Sequence, residues 1–145
     1  MRRLQIREPE IVRGSTYIET LILTYVSNAI KNRIPYNEAM ISLAKMLEEE
    51  ILSLIVKDDL VKEIFISHLK KYFKELFGEK VPVPKFKTLD IWRTLSDHLY
   101  EHKEKILTDF AVKEPSEIRK DIEPIVANLI LVSAKATFRD LGYLR

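Results

Sequence analysis

Cysteine is absent from the sequence, and glycine and proline are scarce, with three and six residues among 145. The lack of cysteine excludes disulfides, thiolate metal ligands and cysteine nucleophiles. Few turn-forming residues predict few, long secondary-structure elements. No apolar run approaches the roughly 18–20 residues of a membrane span, and the first residues lack the apolar segment of a signal peptide. We therefore expect an intracellular protein without disulfides.

What is present is typical of one globular domain. Apolar residues make up 46% and charged residues 32% of the chain, the composition of a folded protein rather than a disordered one. Lys, Glu and Ile are abundant and glutamine occurs once, which favours a heat-adapted source. The net charge is only +2, and the basic excess lies in residues 1–14 and 134–145. A dedicated nucleic-acid binder is therefore not indicated.

Apolar residues recur every three to four positions in several segments, the spacing that places them on one face of a helix. Residues 17–33 predict a first helix, which ends before a proline. Residues 37–77 predict two helices that run almost end to end, the first of them capped by Asn37. Between them, Asp58 or Asp59 can accept the N-cap hydrogen bond of the second helix.

The second half of the chain predicts one linker and two further helices. Residues 78–88 contain two prolines and favour an extended crossover. A long helix is expected over residues 88–112. The last helix is expected to be capped by Ser116, to kink or restart at Pro124, and to stop at Gly142.

The predicted fold is all-α, a four- to five-helix bundle with short antiparallel links and one proline-rich crossover near residues 78–88. Residues 1–14 lack periodicity and predict an extended, flexible N-terminal arm. Residues 15–145 are expected to form a single helical-bundle domain, because no shorter piece could bury its apolar face alone.

One motif suggests metal chemistry. His98-Leu99-Tyr100-Glu101-His102 matches H-x-x-E-H, in which two imidazoles one helical turn apart bind zinc and the glutamate acts as general base. No later segment announces a third protein ligand, and neighbouring lysines place positive charge beside the expected ion. The alternative is a solvated face of a charged helix, and this interpretation is preferred. His68 is expected to be a half-buried packing residue.

Acidic residues cluster in the middle of the chain and suggest an interaction surface. General acid–base catalysis by them is not favoured, because consecutive residues of a helix point about 100° apart and nothing nearby predicts a pocket. A rigid bundle with an acidic ridge is well suited to docking on a partner with a basic channel. The ridge comprises Glu48, Glu49, Glu50, Asp58 and Asp59.

Basic residues support nucleic-acid binding as a second hypothesis, because Lys and Arg neutralise phosphates and Phe86 and Trp92 offer stacking faces. The alternative is that Lys70, Lys71 and Lys74 are only the solvent-exposed face of a helix and that Trp92 belongs to the core. The basic residues expected to contact a partner are Arg2, Arg3 and Arg7 in the arm, Lys70, Lys71 and Lys74 on the third helix, and Arg139 and Arg145 at the end.

The chain closes with Lys-Ala-Thr-Phe-Arg-Asp-Leu-Gly-Tyr-Leu-Arg at residues 135–145. With this ending, its length, its composition and its helix layout, the whole chain resembles the small helical-bundle proteins of archaeal two-tailed viruses. That group includes a virion protein and an inhibitor of the host RNA polymerase. The resemblance implies a protein of the host cytoplasm that occupies the DNA-binding channel of the multisubunit polymerase, restrains its clamp and blocks template loading. The alternative that the resemblance leaves open is a structural protein of the virion. It implies no catalytic residue, no cofactor, no metal and no small-molecule substrate.

Overall fold

Six α-helices and one 3-10 turn make up the secondary structure of residues 8–144, the part of the chain that this computed structural model describes. Side chains are described from residue 17 onward, apart from that of Phe110. The helices are α1 (Glu8–Lys31), α2 (Tyr36–Lys57), α3 (Asp59–Phe77), α4 (Ile91–Glu101), α5 (Lys103–Ile106) and α6 (Pro115–Asp140), with the 3-10 turn at Phe110–Val112. No strand occurs within these residues. The predicted all-α bundle is confirmed.

Helix α6 forms the centre of the bundle. It packs against α2, α3 and α4, and twelve of its residues are buried. Apolar side chains from the surrounding helices complete the core, and the largest fully buried ones include Phe65 and Phe73 of α3, which join Phe138 of α6. Full burial of one such side chain stabilises the fold by about 1.5–3 kcal/mol relative to exposure. The core therefore depends on α6 meeting three helices at once.

Helix α1 begins at Glu8, well before the predicted start at residue 17, and so includes residues 8–14 of the expected extended arm. Pro9 lies in the first turn, where a missing backbone N–H costs nothing. Residues 1–7 of the predicted arm lie outside the described residues.

The break between α2 and α3 is confirmed at Asp58, whose backbone is extended, with φ −158° and ψ 113°. Its Oδ1 accepts a hydrogen bond of 3.1 Å from the backbone N–H of Leu60. Gly78 ends α3 with φ +58°, a conformation that favours glycine. The predicted cap of α2 is wrong, because Pro35 occupies the N-cap position and Asn37 lies inside the first turn.

The predicted long helix over residues 88–112 is also wrong, because α4 ends at Glu101. His102 Nδ1 hydrogen-bonds the backbone oxygen of His98 over 2.9 Å, the oxygen that a continuous helix would bond to the N–H of His102. That N–H bonds Leu99 O instead, at 3.2 Å. A side chain that competes with the backbone in this way favours a helix end. The cap of α4 is Asp90, whose side chain accepts from Arg93 N at 3.2 Å.

The crossover between α3 and α4 is packed onto the bundle rather than free, since Val81 is fully buried within it. The predicted last helix is confirmed as α6, although Ser116 does not cap it. Pro115 takes the first helical position and Glu114 the N-cap, an arrangement that suits a residue without an N–H. Helix α6 runs through Pro124 without restarting, and the chain turns at Gly142 with φ +86°.

Candidate interaction surface

The outer face of α3 and Phe86 of the crossover line a groove of about 630 Å³. We call it the α3 groove. The α3 residues fall at positions i, i+3, i+4, i+7, i+8 and i+11, so they share one face of the helix. This groove brings together Asp59 from the predicted acidic ridge and Lys70 from the predicted basic set. Its lining residues are Asp59, Lys62, Glu63, Ile66, Ser67, Lys70 and Phe86.

The α3 groove is electrically balanced. Its four charged side chains, Asp59, Lys62, Glu63 and Lys70, are all exposed, and two are acidic and two are basic. The apolar side chains of Ile66 and Phe86 are partly buried and pack against the core. Carboxylates beside the lysines repel phosphates, so the groove does not favour a nucleic-acid backbone. Alternating charge around apolar contacts favours a protein surface of complementary pattern.

Glu48 does not belong to an exposed acidic ridge, and this part of the prediction is wrong. Its side chain is buried, with 8% of the residue exposed, and its Oε2 accepts a hydrogen bond of 3.3 Å from Trp92 N. Burial raises the pKa of Glu48, and the hydrogen bonds from the backbone of Trp92 and Ile91 partly oppose that rise. Glu48 therefore acts inside the fold, where it satisfies the first turn of α4.

The other members of the predicted ridge point in different directions. Glu50 is partly buried and accepts a hydrogen bond of 3.0 Å from the hydroxyl of Tyr17 on α1. That hydrogen bond is the main reason why the pKa of Tyr17 is raised. Asp58 is occupied as the cap of α3. Of the five carboxylates only those of Glu49 and Asp59 belong to exposed residues, so the five do not form one continuous surface.

The predicted basic residues of α3 lie on the outside of the bundle, because Lys70, Lys71 and Lys74 are all exposed. Lys71 Nζ lies 5.4 Å from the centre of the Tyr72 ring, within reach of a cation–π contact. Arg139 at the end of α6 is exposed as well. The remaining predicted contacts lie outside the described residues: Arg2, Arg3, Arg7 and Arg145.

Two aromatic predictions are tested by the structure. His68 is partly buried, as predicted, and its ring stacks on Tyr72 with centroids 6.1 Å apart. Its Nε2 lies 2.7 Å from Asp140 Oδ2, a link between α3 and α6 that the sequence pattern did not reveal. Trp92 is partly buried rather than fully enclosed, and Lys45 Nζ lies 4.8 Å from its ring centre.

The expected solvated face at His98 and His102 is only partly solvated, because both imidazoles are partly buried whereas Glu101 is exposed. The ring of Phe73 meets His98 edge-on, with centroids 5.7 Å apart. One ligand atom each from His98, Glu101 and His102 lie within 4.8 Å of one another. These are the residues of the described chain that could hold a metal ion.

A second, apolar groove of about 510 Å³ lies where α1 meets α2. Ile30 and Tyr36 line it and remain largely exposed, at 73% and 79%. Residues 20–30 of α1 contain no charged side chain, so this groove differs chemically from the α3 groove. It is the less polar of the two surfaces.

None of the helices in the described part of the chain combines the length and the apolar character needed to cross a membrane. The resemblance to viral helical-bundle proteins stays a prediction. Comparisons of this chain with protein-family models, with curated proteins and with solved structures find no match.

Proposed function

We propose that this chain is a non-enzymatic regulatory protein that binds the multisubunit RNA polymerase of its host. On this proposal it occupies the DNA-binding channel and inhibits transcription by blocking template loading and movement of the clamp. The choice of partner rests on the resemblance stated above. The choice of a protein partner over nucleic acid rests on the α3 groove.

The observation that carries the proposal is the alternation of charge in that groove. Glu63 and Lys70 are separated by two helical turns on the same exposed line of α3, with Ile66 between them. A protein surface can match each charge with its opposite, and this complementarity sets orientation and speeds encounter. A phosphate backbone matches only one sign.

The groove also contains the kind of side chain that anchors interfaces. Phe86 comes from the crossover and lines the groove together with Ile66 of α3, and aromatic side chains are enriched among residues that dominate binding energy. The surrounding charged side chains would then form a polar rim around an apolar centre. The crossover is held in place by buried Val81, so the groove is formed before the partner arrives.

The experiment exchanges two charges in the groove without altering the net charge. The purified Glu63→Lys/Lys70→Glu variant and the unaltered chain are compared for retention by purified archaeal RNA polymerase and for inhibition of transcription in vitro. The matched control is Glu104→Lys/Lys105→Glu, which exchanges two exposed charges on α5. We expect the groove variant to lose retention and inhibition about tenfold or more, as for an interface hot spot, and the control to keep both.

Two outcomes would contradict the proposal in different ways. If polymerase retained the groove variant as well as it retains the control variant and the unaltered chain, the α3 groove would not be part of the binding surface. If the unaltered chain did not bind polymerase, the proposed partner would be wrong. A gel shift of random DNA by the unaltered chain, lost steeply as salt is raised, would favour the alternative that the exposed lysines of α3 bind nucleic acid.

A further inference from the structure

Three potential metal ligands meet at the carboxyl end of α4, away from the α3 groove. His98 and Glu101 lie three residues apart on one face of α4, and His102 follows as the C-cap residue of that helix. One ligand atom from each lies within 4.8 Å of the other two, and the two imidazole centres are 4.6 Å apart. Two imidazole nitrogens and one carboxylate oxygen therefore come close together at this end of α4.

Both imidazoles are held by backbone carbonyl groups. His98 Nε2 lies 2.5 Å from the oxygen of Pro82 in the crossover, and His102 Nδ1 lies 2.9 Å from the oxygen of His98. A carbonyl oxygen only accepts, so in the neutral rings these nitrogens carry the protons. The lone pairs are then left on His98 Nδ1 and His102 Nε2. Metal-bound histidines have this second interaction almost always, because it fixes the tautomer and the ring orientation.

The nearest lysine in sequence does not oppose a cation at this point. Lys103 Nζ lies over the ring of Tyr100, 4.4 Å from its centre, and donates to the backbone oxygen of Tyr100 at 3.4 Å. Residues 98 and 100 lie about 200° apart around a helix of 3.6 residues per turn. Lys103 is therefore drawn to the opposite side of α4 from His98.

We infer that His98, Glu101 and His102 bind one divalent transition-metal ion, with zinc as the best match. Two imidazoles and one carboxylate are a frequent zinc ligand set, completed by water at a fourth position. Magnesium and calcium ions prefer oxygen ligands, so a site with two imidazole nitrogens binds them less well than it binds zinc. In a tetrahedral zinc site the ligand atoms lie roughly 3.3 Å apart, so the three side chains have to move closer together by small rotations when the ion binds.

This inference is independent of the proposed function, because it names an ion rather than a polymerase and uses other residues. Binding would also connect two parts of the fold. His98 is hydrogen-bonded to Pro82, so an ion on its other nitrogen would strengthen the contact between the crossover and α4. Binding to the folded state alone raises the melting temperature.

The test is equilibrium dialysis of the full chain against zinc chloride, with cobalt(II) as a visible spectroscopic probe of the ligand set. The variants are Glu101→Gln, His98→Ala and His102→Ala. The controls are Glu104→Gln, an exposed glutamate of α5, and His68→Gln, the histidine outside the cluster. Far-UV circular dichroism establishes that each variant is folded.

We expect one zinc per unaltered chain, a raised melting temperature with zinc, and unchanged binding in both controls. Each cluster variant should bind zinc more than about tenfold more weakly, since even the partners behind a metal-bound histidine contribute about 10–100-fold. Glu101→Gln is decisive, because Glu101 is exposed and its replacement leaves the core intact. Less than one zinc per unaltered chain, or binding that survives Glu101→Gln and both alanine variants, would overturn the inference.

Discussion

The carboxylate of Glu48 on α2 accepts a hydrogen bond from the backbone N–H of Trp92 in the first turn of α4, with 3.3 Å between the two atoms. The two residues are 44 positions apart in the chain. A helix leaves its first four N–H groups without partners in the helix itself, and a carboxylate also interacts favourably with the positive end of its dipole. One side chain therefore joins two helices of the bundle.

The buried position of Glu48 predicts how stability depends on pH. Its pKa is raised above the ordinary value of 4.5, chiefly by burial, so the folded state holds the proton more tightly than the unfolded state. The free energy of unfolding that Glu48 contributes therefore falls as the pH rises from about the unfolded pKa through the raised folded one. Glu48→Gln keeps an oxygen for Trp92 N–H but cannot ionise. The stability of the unaltered chain relative to Glu48→Gln should fall as pH is raised through this window.

Urea unfolding of both proteins at several pH values from acid to neutral measures that difference. Glu49→Gln is the matched control, because it removes one acidic charge from the same turn of α2 at an exposed position. A difference between Glu48→Gln and the unaltered chain that stays constant with pH would show that burial does not govern the ionisation of Glu48.

Ser133 predicts a stabilising substitution in the middle of α6. The residue is fully buried, and its Oγ has no hydrogen-bond partner among the described residues. An unsatisfied buried hydroxyl costs about 1–3 kcal/mol, and alanine removes it while keeping a good helix former. Ser133→Ala should therefore raise the free energy of unfolding by about 1 kcal/mol, measured by urea denaturation.

Thr137, one turn later, supplies the control for Ser133. It is also fully buried, but its Oγ1 donates to the backbone oxygen of Ser133 over 2.7 Å. Thr137→Val keeps the shape and loses this bond, so it should lower stability by about 0.5–1.5 kcal/mol. If Ser133→Ala were the destabilising substitution of the two, the buried hydroxyl would have a role that its surroundings do not indicate.

The longer helices follow from local sequence, but only some of their ends do. The break at Asp58 was predictable because an aspartate caps the helix that follows it, and this chemistry spans only two residues. The end of α4 was not predictable from the apolar spacing, which continues to Ile106. The hydrogen bond between the His102 ring and the backbone oxygen of His98 favours the helix end at this point. The spacing of apolar residues does not reveal such a bond.

The candidate surface was predictable only in part, because it depends on contacts between distant segments. Exposure of the α3 lysines follows from the helix pattern. The burial of Glu48 does not follow from the helix pattern, because it depends on the first turn of α4 packing next to this side chain. The place of Phe86 in the α3 groove was not predictable for a similar reason, because it depends on how the crossover packs against α3.

His68 and Asp140 predict a measurable link between α3 and α6. Their atoms lie 2.7 Å apart, and the side chains are 20% and 42% exposed. Partial exposure limits the strength of such a pair, so we expect a coupling free energy of about 0.5–1 kcal/mol. A double-mutant cycle with His68→Ala and Asp140→Ala isolates the pair from other contacts of either residue. Additive effects of the two substitutions would mean that the contact does not stabilise the bundle.

Helix α1 should open before the rest of the bundle. Its buried apolar residues in the described part of the chain are Ile18 and Ala29, whereas α6 buries twelve residues. Local opening is easiest where few apolar contacts hold a segment. Hydrogen exchange followed by mass spectrometry should therefore show faster exchange of α1 amides than of α6 amides.

Ile18→Ala should speed exchange in α1 and leave α6 unchanged, because truncating a buried isoleucine costs about 2–5 kcal/mol. Ile30→Ala is the matched control, since that side chain is 73% exposed and its truncation should alter neither rate. Equal exchange rates in α1 and α6 would instead show that α1 opens only with the whole bundle.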